Sequence, residues 1–427
     1  LIMYDVIVIG AGISGASFAS KVSKYAKTLL IEAQDFGSEQ MDIPIRTNIF
    51  PEHNRPFIKD EINWDNSVIF PCKHTKSNYM SDEVNGVINS NEFGIPLGNI
   101  CYTENLIREL INQFENQGGT FNSSERISRI NRRNDYLEII NRKGESYNTK
   151  LLALATGSRG FDLQQSLGFD IPDHYPGALI HLFGNEDKIN ENLEYNYIFH
   201  INPKISTNGP FFFNKGIDRV LTGFLGGRNE SKEVIMSKLD KILTNYKRIQ
   251  PFVQGLKYDL STTVVGEISK HPIKSFSKDR VLVLGEAAGI VTAFFYEGLL
   301  PGVACADIAS NTVKPLFKKS SNFSRSELQK YDQEVKRVLF TYFKNGNALE
   351  YLIYNEGSYV KSLWRLYTEL LNENKLARKY IYEAYINHDL ANHNTSNDRF
   401  VGEKWFGKLP MLSKITLSPK FFKAMLL

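Results

Sequence analysis

YDVIVIGAGISGASFASKVSKYAKTLLIE, Tyr4–Glu32, reads as a strand, a glycine turn, a helix and a second strand. Asp5–Ile9 is β-branched and stops at Gly10, where G-x-G-x-x-G begins with Gly10, Gly12 and Gly15. The first glycine suits a tight turn, the second a close backbone approach to a pyrophosphate, and the third close packing of helix on sheet. A helix N-terminus offers free N–H groups and the positive end of its dipole to phosphate. Leu29–Ile31 forms the second strand and Glu32 ends it, about 20 residues after the glycines, where an acid accepts ribose hydroxyls. The stretch therefore predicts a dinucleotide site, FAD or NAD rather than NADP, with Ala11, Ser14 and Ala33 beside the three glycines and Glu32.

Around this stretch, 427 residues with 42% hydrophobic content allow a large core and two or three structural units. A net charge of +4 makes no case for nucleic acid. Cys72, Cys101 and Cys305 are too scattered for a disulfide framework, and His388 and His393 are wrongly spaced for a zinc pair, so no metal is expected. No apolar run approaches the ~18 residues of a spanning helix. Without a basic n-region and cleavage site, the start reads as a mature cytoplasmic one.

Downstream of Glu32, Gln34–Asp65 carries Pro44, Pro51 and Pro56 with Arg46 and Arg55 and reads as loop with short strands. Ser67–Phe70 and Gly86–Ile88 read as strand pieces. Thr103–Gln117 has helical apolar spacing with an N-cap in Thr103-Glu104-Asn105. Arg126–Ile130, Tyr136–Ile140 and Asn148–Ala155 are strands, the last entering a second glycine turn at Gly157. Tyr175–Ser261 alternates in short β-like runs around a helix, Ser231–Tyr246. Its aromatics, Phe199, Phe211, Phe212, Phe213 and Phe224, are either sheet core or the apolar wall of a substrate cavity.

A third informative stretch is Arg280–Asp307, RVLVLGEAAGIVTAFFYEGLLPGVACAD. Val281–Leu284 is a buried strand, followed by Gly285-Glu286, the small residues Ala287, Ala288 and Gly289, a loop holding Glu297-Gly298, and a helix from near Pro301. Glu286 stands at the C-terminal end of a parallel strand, where ligands of such sheets bind. From Ser324 the chain reads as helical, with a capping box Ser324-x-x-Glu327 and further helices near Tyr359–Leu371 and Lys375–Tyr385. These read as packing helices outside the catalytic unit. From Lys404 onward there are five lysines and no acid, among Trp405, Phe406, Phe421 and Phe422. Such a tail either docks on the body or lies on an anionic membrane surface.

GAGISG near residue 10, LLALATG near 155 and VLVLGEAAG near 285 together resemble the FAD-dependent oxidoreductases of the p-hydroxybenzoate hydroxylase type. Within that group the chain looks most like the geranylgeranyl reductases, which saturate isoprenoid double bonds. The resemblance implies an α/β fold, α+β overall. A Rossmann-like FAD domain would come from 1–45, 96–165 and 266–320. A mostly antiparallel substrate sheet would come from 46–95 and 166–265, and a helical region would span 321–427. It implies that Gly10, Gly12 and Gly15 hold the pyrophosphate of FAD, Glu32 its adenosine ribose, and the Ile127 backbone its adenine. Gly285-Glu286 matches the pair that binds the ribityl chain, Ala288 and Gly289 the small residues after it, and Glu297-Gly298 the loop beside the isoalloxazine. Gly209–Gly216, GPFFFNKG, takes the place of the reductases' aromatic motif. This chain departs from the pattern in four places. Glu286 replaces Asp, Thr292 and Ala293 stand where proline is usual, Ala155-Thr156-Gly157 lacks an Asp-Gly, and the aromatic motif has no tryptophan.

The resemblance implies a reductase acting on an apolar isoprenoid or lipid, with Phe211, Phe212, Phe213, Phe294 and Phe295 lining its site and Tyr296 as proton relay. The N-terminus and the basic tail together read as a cytoplasmic location, with peripheral contact on the inner face of the membrane as the alternative to a tail docked on the body. The electron donor is external, since no second G-x-G-x-x-G is present. The alternatives are an FAD-dependent monooxygenase, against which the missing Asp-Gly counts, and a non-catalytic flavin- or lipid-binding protein.

Overall fold

The computed structural model describes residues 2–36, 47–50, 62, 69–194, 197–387 and 389–427. Pro44, Pro51 and Pro56, Ser67 at the start of a predicted strand piece, the Cys72 side chain and His388 lie outside the described residues.

Met3–Ile9 is the axis of an eight-stranded sheet. Its residues Val6, Ile7 and Val8 are fully buried, as a parallel strand covered on both faces requires. Thr28–Ile31 and then Thr120–Asn122 pair on one side of it; Ser146–Leu154 and then Val281–Val283 pair on the other, all parallel. Strand order therefore reverses at Met3–Ile9, and ligands of such sheets bind beyond the strand C-termini at that point. Ser277–Lys278 closes one edge, and Ile127–Arg132 with Leu137–Asn141 forms an antiparallel extension from Ser146–Leu154. The helix Ile13–Val22 is buried nearly all round, because Thr103–Asn116 and Leu299–Lys318 both pack against it. Its run of Gly, Ala and Ser admits that close packing.

A second, seven-stranded sheet runs Val264–Lys270, Asp173–Phe183, Arg219–Leu225, Phe211–Lys215, Tyr197–His200, Lys76–Met80, Asn85–Asn89 in spatial order. Only Tyr197–His200 with Lys76–Met80 is parallel. One face buries Phe211, Phe213 and Phe224 under Ile235, Leu239, Ile242 and Leu243 of the helix Lys232–Asn245. The other face carries Tyr79 and Phe199 and packs on Trp364 and Tyr367. Gly98–Tyr102 forms a small third sheet with Thr47–Phe50 and Ile69–His74.

Beyond Ser324, where the Ser324 N–H donates to Glu327 Oε2 at 3.0 Å, helices bridge both sheets. Tyr331 donates its hydroxyl to the Val283 carbonyl at 3.0 Å in the first sheet; Trp364 donates Nε1–H to the Met80 carbonyl at 2.9 Å in the second. Two expectations shift. Thr103 is the first helical residue, not the cap, and Tyr102 caps without a side-chain bond. The helix expected near Pro301 begins at Leu299, which places the proline in the first turn, where its missing N–H costs nothing.

Candidate functional site

The C-terminal ends of the parallel strands meet around Gly10. Its N–H donates to the Ile31 carbonyl, the Ala155 N–H to the Ile9 carbonyl, and the Leu284 N–H to the Leu154 carbonyl, each at 2.8 Å. Gly10 has φ +101°, and a Cβ there would sit 2.3 Å from the Ala155 oxygen. A Cβ on Gly15 would lie 1.9 Å from the Gly10 carbonyl oxygen. Gly12 differs: a Cβ there meets no atom within 4 Å, so protein packing does not demand this glycine. Gly12 caps the helix Ile13–Val22 without a side-chain bond, and the first turn holds no acid. That is the arrangement a phosphate needs. The Glu32 carboxylate is fixed beside this turn, accepting the Ala11 N–H at 2.8 Å and the Gln34 N–H at 2.9 Å. Its main chain accepts the Glu125 N–H at 2.9 Å, which brings buried Ile127 close, while Ala33 is exposed.

The stretch from Gly285 closes onto the same helix. Gly285 has φ +60°, and its Cβ position lies 2.1 Å from Ser14 Oγ; that of Gly302 lies 2.7 Å from the same atom. Ser14 is thus held between two glycines some 270 residues downstream. Glu286 Oε1 accepts the Ser269 N–H at 3.1 Å, and its Oε2 lies 3.7 Å from the Cβ position of Gly157. Ala288 is fully buried, and Gly289, φ +70°, faces the His271 carbonyl too closely for any side chain.

The loop after Gly289 is tied by its own bonds. Thr292 N–H donates to the Glu297 carbonyl at 2.9 Å, Glu297 N–H to Thr292 Oγ1 at 3.0 Å, and Tyr296 N–H to the Thr292 carbonyl at 3.0 Å. Tyr296 takes φ +52°, a strained conformation for a residue with a side chain. Its hydroxyl donates to the Asn208 carbonyl, and burial, then the Glu350 charge, push its phenol well above the ordinary 10. The proton of the predicted relay is therefore committed to Asn208. Phe294 is fully buried, stacked on Tyr354 with ring centres 5.0 Å apart; Phe295 lies 4.8 Å from Phe199. The aromatics predicted for substrate do not form one group. Phe212 pairs directly with Phe199 across the strands and shares its face, whereas Phe211 and Phe213 belong to the core on the opposite face. The reason is the two-residue period of a strand.

Glu297 is the residue that the motif reading passed over. Its Oε1 accepts the Leu300 N–H at 2.8 Å at the head of the helix Leu299–Lys318, while its Oε2 is buried with no hydrogen-bond partner. Burial pushes the carboxyl up to about 7, against the lowering effect of the Leu300 and Leu299 N–H groups. Tyr197 and Tyr342 stand near enough that the Glu297 charge helps raise both phenols, after burial and, for Tyr197, after Tyr385. A single acid inside the apolar run IVTAFFYEGLLPGV was the available signal. The helices read as packing elements also take part here, since Tyr342 and Tyr354 complete the surroundings of this loop.

The described residues fit a flavin adenine dinucleotide: an uncapped helix N-terminus, an acid at the second strand and a second anchor at Gly285–Gly289. No protein-family model matches the chain, and no curated protein matches its sequence. Solved structures do match. A geranylgeranyl bacteriochlorophyll reductase-like protein from Thermoplasma acidophilum superposes with TM-score 0.73 at 16% identity, covering 94% of this chain and 99% of that one. A flavoprotein/dehydrogenase from Cytophaga hutchinsonii gives 0.70 at 13%, over 96% and 100%. A halogenase solved in complex with FAD gives 0.67 at 11%, over 99% and 96%. The chain has the α/β fold of these flavoproteins.

Proposed function

We propose that this protein is an FAD-dependent oxidoreductase that saturates carbon–carbon double bonds of an isoprenoid chain, on a lipid or lipid precursor. The observation that carries the reading is Glu297, a buried carboxyl with one unpartnered oxygen in a loop walled by aromatic rings. FAD, when bound and reduced, supplies the hydride. Gly12 and the N–H groups at the head of Ile13–Val22 would hold its pyrophosphate, Glu32 its adenosine ribose, and Gly285–Gly289 the ribityl side. An isolated alkene presents no charge to polarise, so orientation carries much of the effect. Phe295, Phe199 and Phe212 share the wall that would hold the chain and exclude water. Glu297 Oε2 keeps a proton near neutral pH and delivers it to the alkene carbon that does not receive the hydride. An external donor then renews the reduced state.

The test is anaerobic. Protein reduced with dithionite is mixed with a geranylgeranyl lipid, and flavin absorbance and lipid mass are followed. Reoxidation without oxygen, with a product two hydrogens heavier, is expected. A strict need for oxygen with an oxygenated product would make it a monooxygenase, and a flavin inert to every prenyl substrate would make it a binding protein.

A further inference from the structure

The helix Met411–Leu426 is apolar on two opposite faces. Leu417, Phe421 and Ala424 are buried, with the Phe421 ring 5.4 Å from Trp405 and 5.0 Å from Phe406. On the other side Met411, Leu412, Ile415, Phe422, Met425 and Leu426 are each between 62% and 80% exposed. Met411, Ile415, Phe422 and Leu426 recur at helical spacing and form one stripe. Elsewhere among the described residues the large exposed apolar side chains are the neighbours Ile2 and Met3 and, scattered in sequence, Ile95, Phe183, Val234 and Leu376. A contiguous stripe of this kind marks an interaction surface.

Charge indicates the occupant. Lys414 borders the stripe on one side, and Lys423 and Lys420 on the other. Lys420 is held over the Tyr359 ring and Lys423 over the Tyr351 ring. Lys420 also donates to the Tyr359 hydroxyl at 2.6 Å, and Lys408 pairs with Glu373 at 2.7 Å; among the described residues no carboxylate pairs with Lys404, Lys414 or Lys423. No described helix is long and apolar enough to cross a membrane. An apolar stripe edged by lysines suits a helix lying in the plane of an interface, with its apolar side chains among the acyl chains and its ammonium groups at lipid phosphates.

We infer that the Met411–Leu426 face docks on an anionic lipid bilayer. The contact also gives an apolar substrate a short route: the helix rests on Thr341–Ile353, which carries Tyr342 beside the Glu297 loop. That route depends on the function proposed above, whereas the docking stands on the helix alone and is measured without any flavin chemistry.

The experiment is flotation of the full chain with phosphatidylcholine vesicles, with and without phosphatidylglycerol. Wild type is expected to float only with the anionic vesicles and to be released by high salt. Ile415→Ser with Phe422→Ser should remove flotation while the thermal melt stays unchanged. Lys414→Gln with Lys423→Gln, which leaves the apolar stripe intact, should weaken partitioning roughly fivefold for each lysine. Wild type that stays in solution with both vesicles overturns the inference, as does undiminished flotation of either double variant. A dimer in light scattering that Ile415→Ser with Phe422→Ser converts to monomer would assign the face to a second copy and overturn it too.

Discussion

Around the first glycine turn, one unbroken segment, Tyr4–Glu32, supplies the turn, the helix N-terminus and the acid, and Glu32 reaches back to the Ala11 N–H within it. The loop Thr292–Gly298, by contrast, is completed by Tyr197, Asn208, Tyr342 and Tyr354, from two distant regions of the chain. The first is a steric solution, set by which positions lack a Cβ. The second is an electrostatic one, in which burial pushes a carboxyl up to about 7. Steric demands of neighbours in sequence survive in a motif; a pKa belongs to the assembled structure and leaves almost no local trace.

The contrast breaks first at Gly15. Gly15→Ala forces a methyl against the Gly10 carbonyl, and overpacking there should cost about 3 kcal/mol or more. Purified protein should be nearly free of flavin, by absorbance against protein content; full flavin loading would show that the close approach of Gly15 to Gly10 is not needed to hold the cofactor. Next comes Glu297→Gln, which keeps size and one acceptor but holds no transferable proton. Double-bond reduction should slow roughly 100-fold in single-turnover absorbance traces, with flavin loading unchanged. Unchanged turnover would remove Glu297 from the chemistry. Glu32→Gln should weaken flavin binding about tenfold by titration calorimetry, because a charged acceptor becomes a neutral one. A variant that binds as tightly as wild type would move the ribose contact elsewhere.

The smallest effect is on stability. Glu297 rises from 4.5 to about 7 on folding, so between those values the folded chain keeps a proton that the unfolded chain has lost. Stability is therefore greatest with respect to this group below pH 4.5, declines as pH rises toward 7, and levels off above. Comparing melts of wild type and Glu297→Gln over this range should show a decline of about 1–3 °C belonging to wild type alone. Parallel slopes would mean that Glu297 ionises normally.

The flavoprotein fold was legible because its signals are local: Gly10, Gly15 and Gly285 each meet a backbone or side-chain atom that excludes a Cβ. Gly12 was legible for the opposite reason, since nothing in the protein requires it. The GPFFFNKG run was legible as sheet, yet its three phenylalanines could not be sorted to faces before strand register was known; only Phe212 lies with Phe199. Glu297 was quoted inside a glycine motif and given no role, because neighbours such as Tyr342 lie on helices that read as packing. The tail's lysines were countable, but two opposite apolar faces on one helix became distinguishable only once Trp405 and Phe406 had claimed one of them.

Ser14, held between Gly285 and Gly302, has a consequence in time. Synthesis releases the glycine turn early, but the surface that covers its helix, Leu299–Lys318, is made more than 280 residues later, and domains tend to fold as units while the chain emerges. Until then Ile13–Val22 lacks one of its two neighbouring helices, and the dinucleotide cradle has no lid on that side. A nascent or truncated chain that stops before Gly302 should carry the motif without holding a redox cofactor, so loading waits until the loop bearing Glu297 already exists.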